Sequence, residues 1–270
     1  MAAVLVLVII ALLVGVGIGR YVLAPSGGGA TPSKLIVGTN TPFPPFESRN
    51  STTDTIEGFD IDLITAVLNR SGYAPGSWDL YDFRDFSALL AAVGLGRVDV
   101  AVSAITMNGG IGAARNATMS FTSPYYESDQ GVLKRRSDAT VYCADANNCL
   151  ASELNQTGLK VGAQSATSSE FWAEDNLPAV TLSLFPDVTQ VLQALQTNAV
   201  DIVVIDHPAA VGIVAANPSR FAIGGTIQTN ELYAFAVAHA DPLGLLPKMN
   251  AALAAMKSDG TYDQLIAKWF

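Results

Sequence analysis

Histidine and cysteine are scarce in this chain of 270 residues, with two of each. Neither His207 nor His239 has metal-ligand spacing to Cys143 or Cys149, so a zinc centre lacks partners, and no cofactor or metal is expected. Basic clusters are missing too. The largest is Lys134-Arg135-Arg136, and with a net charge of −9 the chain is a poor counterpart for nucleic acid. The acidity itself implies little more than a soluble, self-repelling surface.

Charge is absent altogether from AAVLVLVIIALLVGVGIG (2–19), and no Lys or Arg precedes Arg20. Continued through Leu23, this run would make a helix about 33 Å long at ~1.5 Å per residue, enough to cross a hydrocarbon core of roughly 30 Å. It reads as an uncleaved anchor, a signal peptide cleaved for instance after Ala30, or a buried core helix. APSGGGATPSK (24–34) then reads as a flexible tether, which speaks against the core helix. Signal peptides have a shorter apolar region and a basic start. The expectation is therefore a transmembrane signal anchor over 1–23 and a tether over 24–33, with the bulk of the chain outside the cell membrane. Cleavage would leave a secreted or periplasmic protein. Arg20 has the wrong sign for that topology, though long domains are exported regardless of one flanking charge. No cysteine follows the run, which excludes a lipid-modified N-terminal cysteine. In an exported chain, Cys143 and Cys149 are close enough to expect a loop disulfide, against the alternative of two free thiols. Asn50, Asn69, Asn116 and Asn155 lie in sequons that recur by chance.

Beyond the tether, strand and helix patterns alternate. KLIVGT reads as a buried strand, and FDIDLITAVLNRSG carries a helical apolar stripe that stops at Gly72. SWDLYDF is strand-like, DFSALLAAVGLG is a helix opened by Asp85 or Ser87, and VDVAVSAI is a further strand. This order implies a parallel sheet covered on both faces. The pattern restarts with LKVGAQ, TSSEFWAEDN, VTLSLF, DVTQVLQALQTNA, VDIVVID and HPAAVGIVAANP. ALLAAVGLGRVDVAVSAI (88–105) and QVLQALQTNAVDIVVID (190–206) echo each other as helix, turn, Val-Asp and strand. Two such lobes suggest a cleft at the carboxyl ends of their strands.

VGTNTPFPPFE, IEGFDIDLITAVLNRSG, ALLAAVGLGRVDVAVSAIT, FTSPYYES, LKVGAQSATSSE, ALQTNAVDIVVID and SDGTYDQLIAKWF fall in one familiar order. From about residue 34 to 270 the chain resembles the extracellular solute-binding proteins that serve amino-acid transporters of the ATP-binding-cassette (ABC) type. The resemblance implies a two-lobed α/β fold of the type II periplasmic-binding-protein ("Venus flytrap") kind with two hinge strands. Lobe 1 would comprise 34–126 and 229–270, and lobe 2 would comprise 127–228. It also implies a monomer that captures an L-amino acid and serves ABC permease subunits.

Residue by residue, the resemblance implies that Phe43 closes over the ligand side chain and Phe86 faces it. Pro42, Pro44 and Pro45 stiffen the loop that presents Phe43, which lowers the cost of ordering it. Phe46 reads as core. Arg115, six residues before Phe121, matches the clamp on the ligand carboxylate; a guanidinium meets that group with two parallel hydrogen bonds, as lysine cannot. Ala104 and Thr106 match contacts beside it. Asp206 matches the acceptor of the α-ammonium, with a helix N-cap as its alternative role. Ala166, Thr167 and Ser168 precede a helix whose free N–H groups suit a carboxylate.

Two departures bear on these expectations. MNGGIGAA lengthens the turn between Thr106 and Arg115 by four residues relative to the pattern resembled. Asn40 stands where relatives that bind cationic or amide side chains often carry aspartate, which makes a lysine or arginine ligand less expected. A dehydratase on the same fold would need an unpaired general acid in the cleft, and no first-lobe motif holds a histidine. A sensor would carry the same domain into a signalling module.

Overall fold

The apolar run LIVGT forms β1 (Leu35–Thr39), which ends where Asn40 and the proline-rich loop begin. The structure, a computed structural model, describes residues 34–270; the expected anchor and tether lie outside the described residues. A short hairpin, β2 (Ser48–Arg49) and β3 (Ile56–Glu57), leads to α1 (Phe59–Arg70), whose stripe of Phe59, Ile61, Leu63, Ile64, Val67 and Leu68 is buried. Gly72, just past its end, has φ +91°, a conformation that costs glycine nothing. β4 (Trp78–Asp82) precedes α2 (Phe86–Gly94), which is capped by Asp85 accepting from the Ser87 and Ala88 amides.

Of the predicted strand VDVAVSAI only β5 (Val100–Ala101) joins the ladder, because the chain turns through a left-handed residue, Ala104, at φ +44°. MNGGIGAA, expected only as a longer turn, supplies most of a two-turn helix, α3 (Gly109–Asn116). β6 (Met119–Phe121) and the long β7 (Tyr126–Arg135) follow. The second αβ series is α4 (Ala151–Leu154), β8 (Lys160–Gln164), α5 (Ser168–Asn176), β9 (Thr181–Phe185), α6 (Val188–Gln196), β10 (Ile202–Asp206) and α7 (His207–Ala216). The chain returns through β11 (Phe221–Tyr233) and β12 (Ala236–Ala238) and finishes with α8 (Leu245–Ser258) and α9 (Thr261–Trp269).

Among the described residues these strands make two five-stranded sheets, ordered β4-β1-β5-β12-β6 and β11-β7-β10-β8-β9. β4, β1 and β5 run parallel, as do β10, β8 and β9. Each sheet has its own cores: Leu63, Val100 and Phe235 sit in the first lobe, Leu133, Val203 and Ile213 in the second. β7 and β11 pair along nearly their whole length, and their far ends reach the first lobe, where Met107 donates to Leu232 O and Ala234 to Ile105 O. These two strands join the lobes. Cys143 and Cys149 are bonded to each other, and the bridge packs on β11. A β-carbon on Gly225 would lie 2.4 Å from Cys143 Sγ, so only glycine admits the disulfide there.

Candidate functional site

Asn40 follows β1, Gln164 ends β8 and Asp206 ends β10, so three polar side chains arrive at the carboxyl ends of parallel strands. They line a narrow cavity between the lobes, with about 30 Å³ of free space for water. Nine of the ten candidate residues line it: Asn40, Phe43, Phe86, Ala104, Thr106 and Arg115 from one side, and Thr167, Ser168 and Asp206 from the other. The tenth, Ala166, does not line it, yet its carbonyl holds Arg115.

The aromatic wall is built by the proline loop. Phe43 and Glu47 exchange backbone hydrogen bonds and close it into a tight turn. Gly212 of α7 seats against this turn so closely that a β-carbon would lie 2.7 Å from Pro44 O. Phe46, fully buried, turns into the core beneath Phe43, while Phe43 keeps a face to the cavity.

Arg115 sits on the last turn of α3 and is 5% exposed. Its Nη1 donates to Thr106 O and its Nη2 to Ala166 O, each at 2.8 Å, which links the two lobes. The guanidinium lies 5.6 Å from the Phe86 ring centre. Its buried Nε has no partner. A guanidinium has five N–H donors, so further donors, Nε among them, remain beyond these two carbonyls. Burial lowers the Arg115 pKa to about 10, while Glu231 and Asp206 push it back up, and the group stays cationic at neutral pH.

Asp206 precedes α7 but its side chain does not cap it. It accepts instead from Gln130 Nε2 at 2.5 Å, from the Tyr233 hydroxyl, and from Ser169 Oγ at 3.5 Å. Burial, followed by the neighbouring Glu231, raises its pKa to about 7; Tyr233, Gln130 and Arg115 oppose the rise. Gln130 Nε2 also reaches Glu231 Oε1 at 2.6 Å, and Thr106 Oγ1 donates to Glu231 Oε2 at 2.7 Å. Gln130, Glu231 and Tyr233 lie on the two strands that join the lobes, so the acid at the cavity is tied to the hinge.

A second, uncharged cluster bridges the lobes elsewhere on the wall. Gln164 Nε2 donates to Asn40 Oδ1 at 2.9 Å, and Asn40 Nδ2 donates to Phe83 O at 2.6 Å. Thr167 caps α5 and bonds Gln164 O, while Ala166 adopts φ +64° in the turn before it. Left-handed alanines on both sides of one cavity are conformations that the surrounding structure must hold in place.

Sequence reasoning missed Ser103, Gln164, Ser169, Val188 and Val191 on the wall, and Gln130, Glu231 and Tyr233 behind it. Gln164 carried a signal, since it ends an apolar strand just as Asp206 does. Gln130 and Glu231 carried none, because a polar residue on a long strand does not reveal which face it occupies. Among the described residues no group of three or more His, Cys, Asp or Glu is placed to hold a metal, and no helix is long and apolar enough to cross a membrane.

Comparison with known proteins accords with this geometry. The family model of the bacterial extracellular solute-binding proteins, family 3, matches residues 35–270. A protein of Neisseria gonorrhoeae named "Probable histidine-binding protein" is 28% identical, covering 94% of this chain and 88% of its own. An L-cystine-binding protein of Escherichia coli is 26% identical, covering 87% and 82%. Among solved structures, an ancestral arginine-binding protein bound to glutamine superposes with a TM-score of 0.75 at 30% identity, covering 89% of this chain and 99% of that one. The two-lobed α/β architecture is therefore that of a periplasmic binding protein.

Proposed function

This chain belongs to the bacterial extracellular solute-binding proteins, family 3, and on that premise we propose that it captures a neutral, polar L-amino acid by closure of its two lobes and delivers it to an ABC permease. The single observation that carries the reading is Arg115. It is a buried guanidinium with an unpartnered Nε, on the wall of a cavity that also holds the carboxylate of Asp206. A zwitterion answers both groups, with its carboxylate on Arg115 and its ammonium on Asp206. Family membership supports capture outside the cytoplasm, and the relatives named for histidine, cystine, arginine and glutamine support the substrate class. Arg115–Ala166 and Asn40–Gln164 bonds span the cleft and must part for a ligand to enter.

The side-chain preference follows from the uncharged cluster. Besides Asp206, no described residue lining the cavity is acidic. A buried ammonium or guanidinium on the ligand side chain would meet only the amides of Asn40 and Gln164, and an unpaired buried charge costs far more than an unpaired amide. Phe43 and Phe86 flank an amide-bearing chain such as that of glutamine. A calorimetric screen of the twenty L-amino acids tests the reading, with neutral polar ones expected to bind most tightly. A wild-type preference for arginine in competition would overturn it. Asn40→Asp keeps the acceptor for Gln164 and adds a charge. The variant is expected to shift the preference toward lysine or arginine by about tenfold or more, the scale of one close ion pair.

A further inference from the structure

Two acids lie beneath the cavity, and ligand recognition does not use them. Glu47, at the end of the proline loop, and Asp60, in the first turn of α1, are each fully buried. Ser103 Oγ donates to Glu47 Oε1 at 2.5 Å; the next residue, Ala104, donates its backbone N–H to Asp60 Oδ2 at 2.8 Å. The Tyr125 hydroxyl also donates to Asp60 Oδ2, at 2.7 Å. Asp60 N bonds Phe46 O, which brings the two acidic residues side by side. Glu47 Oε2 and Asp60 Oδ1 are both buried without a partner.

Among the described residues no cation is among the charges acting on the pair. Tyr125 is the phenol in contact, and the Tyr262 hydroxyl bonds the Tyr125 carbonyl. The further charges that act on Glu47, Asp82 and Asp206, are anions. On α1, Asp62 points away to Lys268 and Trp269. Two carboxylates in a dry site with no counter-charge cannot both ionise. A carboxyl proton on either acid would supply the donor that these orphaned oxygens lack.

We propose that Glu47 and Asp60 share one proton beneath the cleft, and that this acid pair is a positioning device which holds Ser103 and the left-handed Ala104 at the cavity wall. The pair binds four segments into one unit: the proline loop that carries Phe43, the start of α1, the 103–104 turn, and Tyr125 at the foot of β7. Burial, then the proximity of Asp60, raises the Glu47 pKa well above its ordinary value; burial raises that of Asp60 to about 7. Folded-state values above the unfolded ones mean stability that is full below about pH 4 and is lost as the pH rises through the folded values, near 7 for Asp60.

The test uses ligand-free protein and needs no knowledge of the ligand. Glu47→Gln and Asp60→Asn each replace a protonated partner by an amide that can donate to the other orphaned oxygen. Both variants are expected to stay close to wild type in Tm at pH 7. Each should lose the wild type's decline in Tm between pH 5 and 8 by an amount equivalent to about one proton fewer bound on folding. In an Asp206→Asn background, which removes the other buried acid of raised pKa, the protein at pH 7 should show the infrared C=O stretch of a buried carboxylic acid, and the added change Glu47→Gln should remove it. The Ala104 amide should exchange with solvent about tenfold faster in Glu47→Ala, and near the wild-type rate in Glu47→Gln. An Asp206→Asn spectrum without the acid band would overturn the shared proton even if every Glu47 variant failed to fold. Unchanged Ala104 exchange in Glu47→Ala would overturn the positioning role.

Discussion

Arg115→Ala is expected to weaken amino-acid binding by roughly 140- to 4000-fold while the protein still folds. Among the described residues the arginine is the one cation lining the cavity, and its buried Nε has no partner. Removing one partner of a buried ion pair costs about 3–5 kcal/mol, because the other charge is left in a dry site; at 1.4 kcal/mol per decade that is the stated range. The variant also frees the carbonyls of Thr106 and Ala166, which Arg115 holds from opposite lobes. Part of the loss should therefore appear as poorer closure. Arg115→Lys separates the two contributions, since it keeps the charge and loses the fork, and recovery should be partial. Isothermal titration on folded protein, checked by circular dichroism, measures both. An Arg115→Ala variant within a few-fold of wild type would mean that another group holds the carboxylate.

The sequence carried most of the secondary structure because hydrophobic period and capping are local properties. The α1 stripe, the Asp85 cap and the Gly72 stop are all read from neighbours in the chain. It carried Asp206 as a charge that ends an apolar strand, and Asn40 through the resemblance alone. It did not carry α3. MNGGIGAA has three glycines, a composition that disfavours a helix, yet Gly112 is needed there because a β-carbon would lie 2.1 Å from Met107 O. That tight packing seats the helix against the 106–107 turn and delivers Arg115 from its last turn to the cavity. Nor did it carry the partners of Asp206. Gln130, Glu231 and Tyr233 come from strands about a hundred residues apart in sequence, brought together only by the β7–β11 ladder. Long-range pairing is where local patterns fall silent.

Asp206 is expected to make binding both weak in its absence and dependent on pH in its presence. Truncation to alanine leaves the ligand ammonium without a carboxylate, at a cost of about 2–5 kcal/mol for a buried, hydrogen-bonded charge, or roughly 30- to 4000-fold in Kd. Asp206→Asn should be milder, since its amide oxygen can still accept. The pH dependence follows from burial and from Glu231, which together raise the Asp206 pKa to about 7 in the ligand-free protein. An ammonium favours the ionised form, so below that value a proton must leave before the ion pair forms. Affinity should be flat above about pH 8 and fall toward tenfold per pH unit well below 7, with a proton released on binding at pH 6. Calorimetry at pH 6 in buffers of different ionisation enthalpy counts that proton directly. Asp206→Asn removes the titrating group and should flatten the profile. If its profile matched that of wild type, the ammonium would be bound by some other group, and Asp206 would serve the hinge network of Gln130, Glu231 and Tyr233 alone.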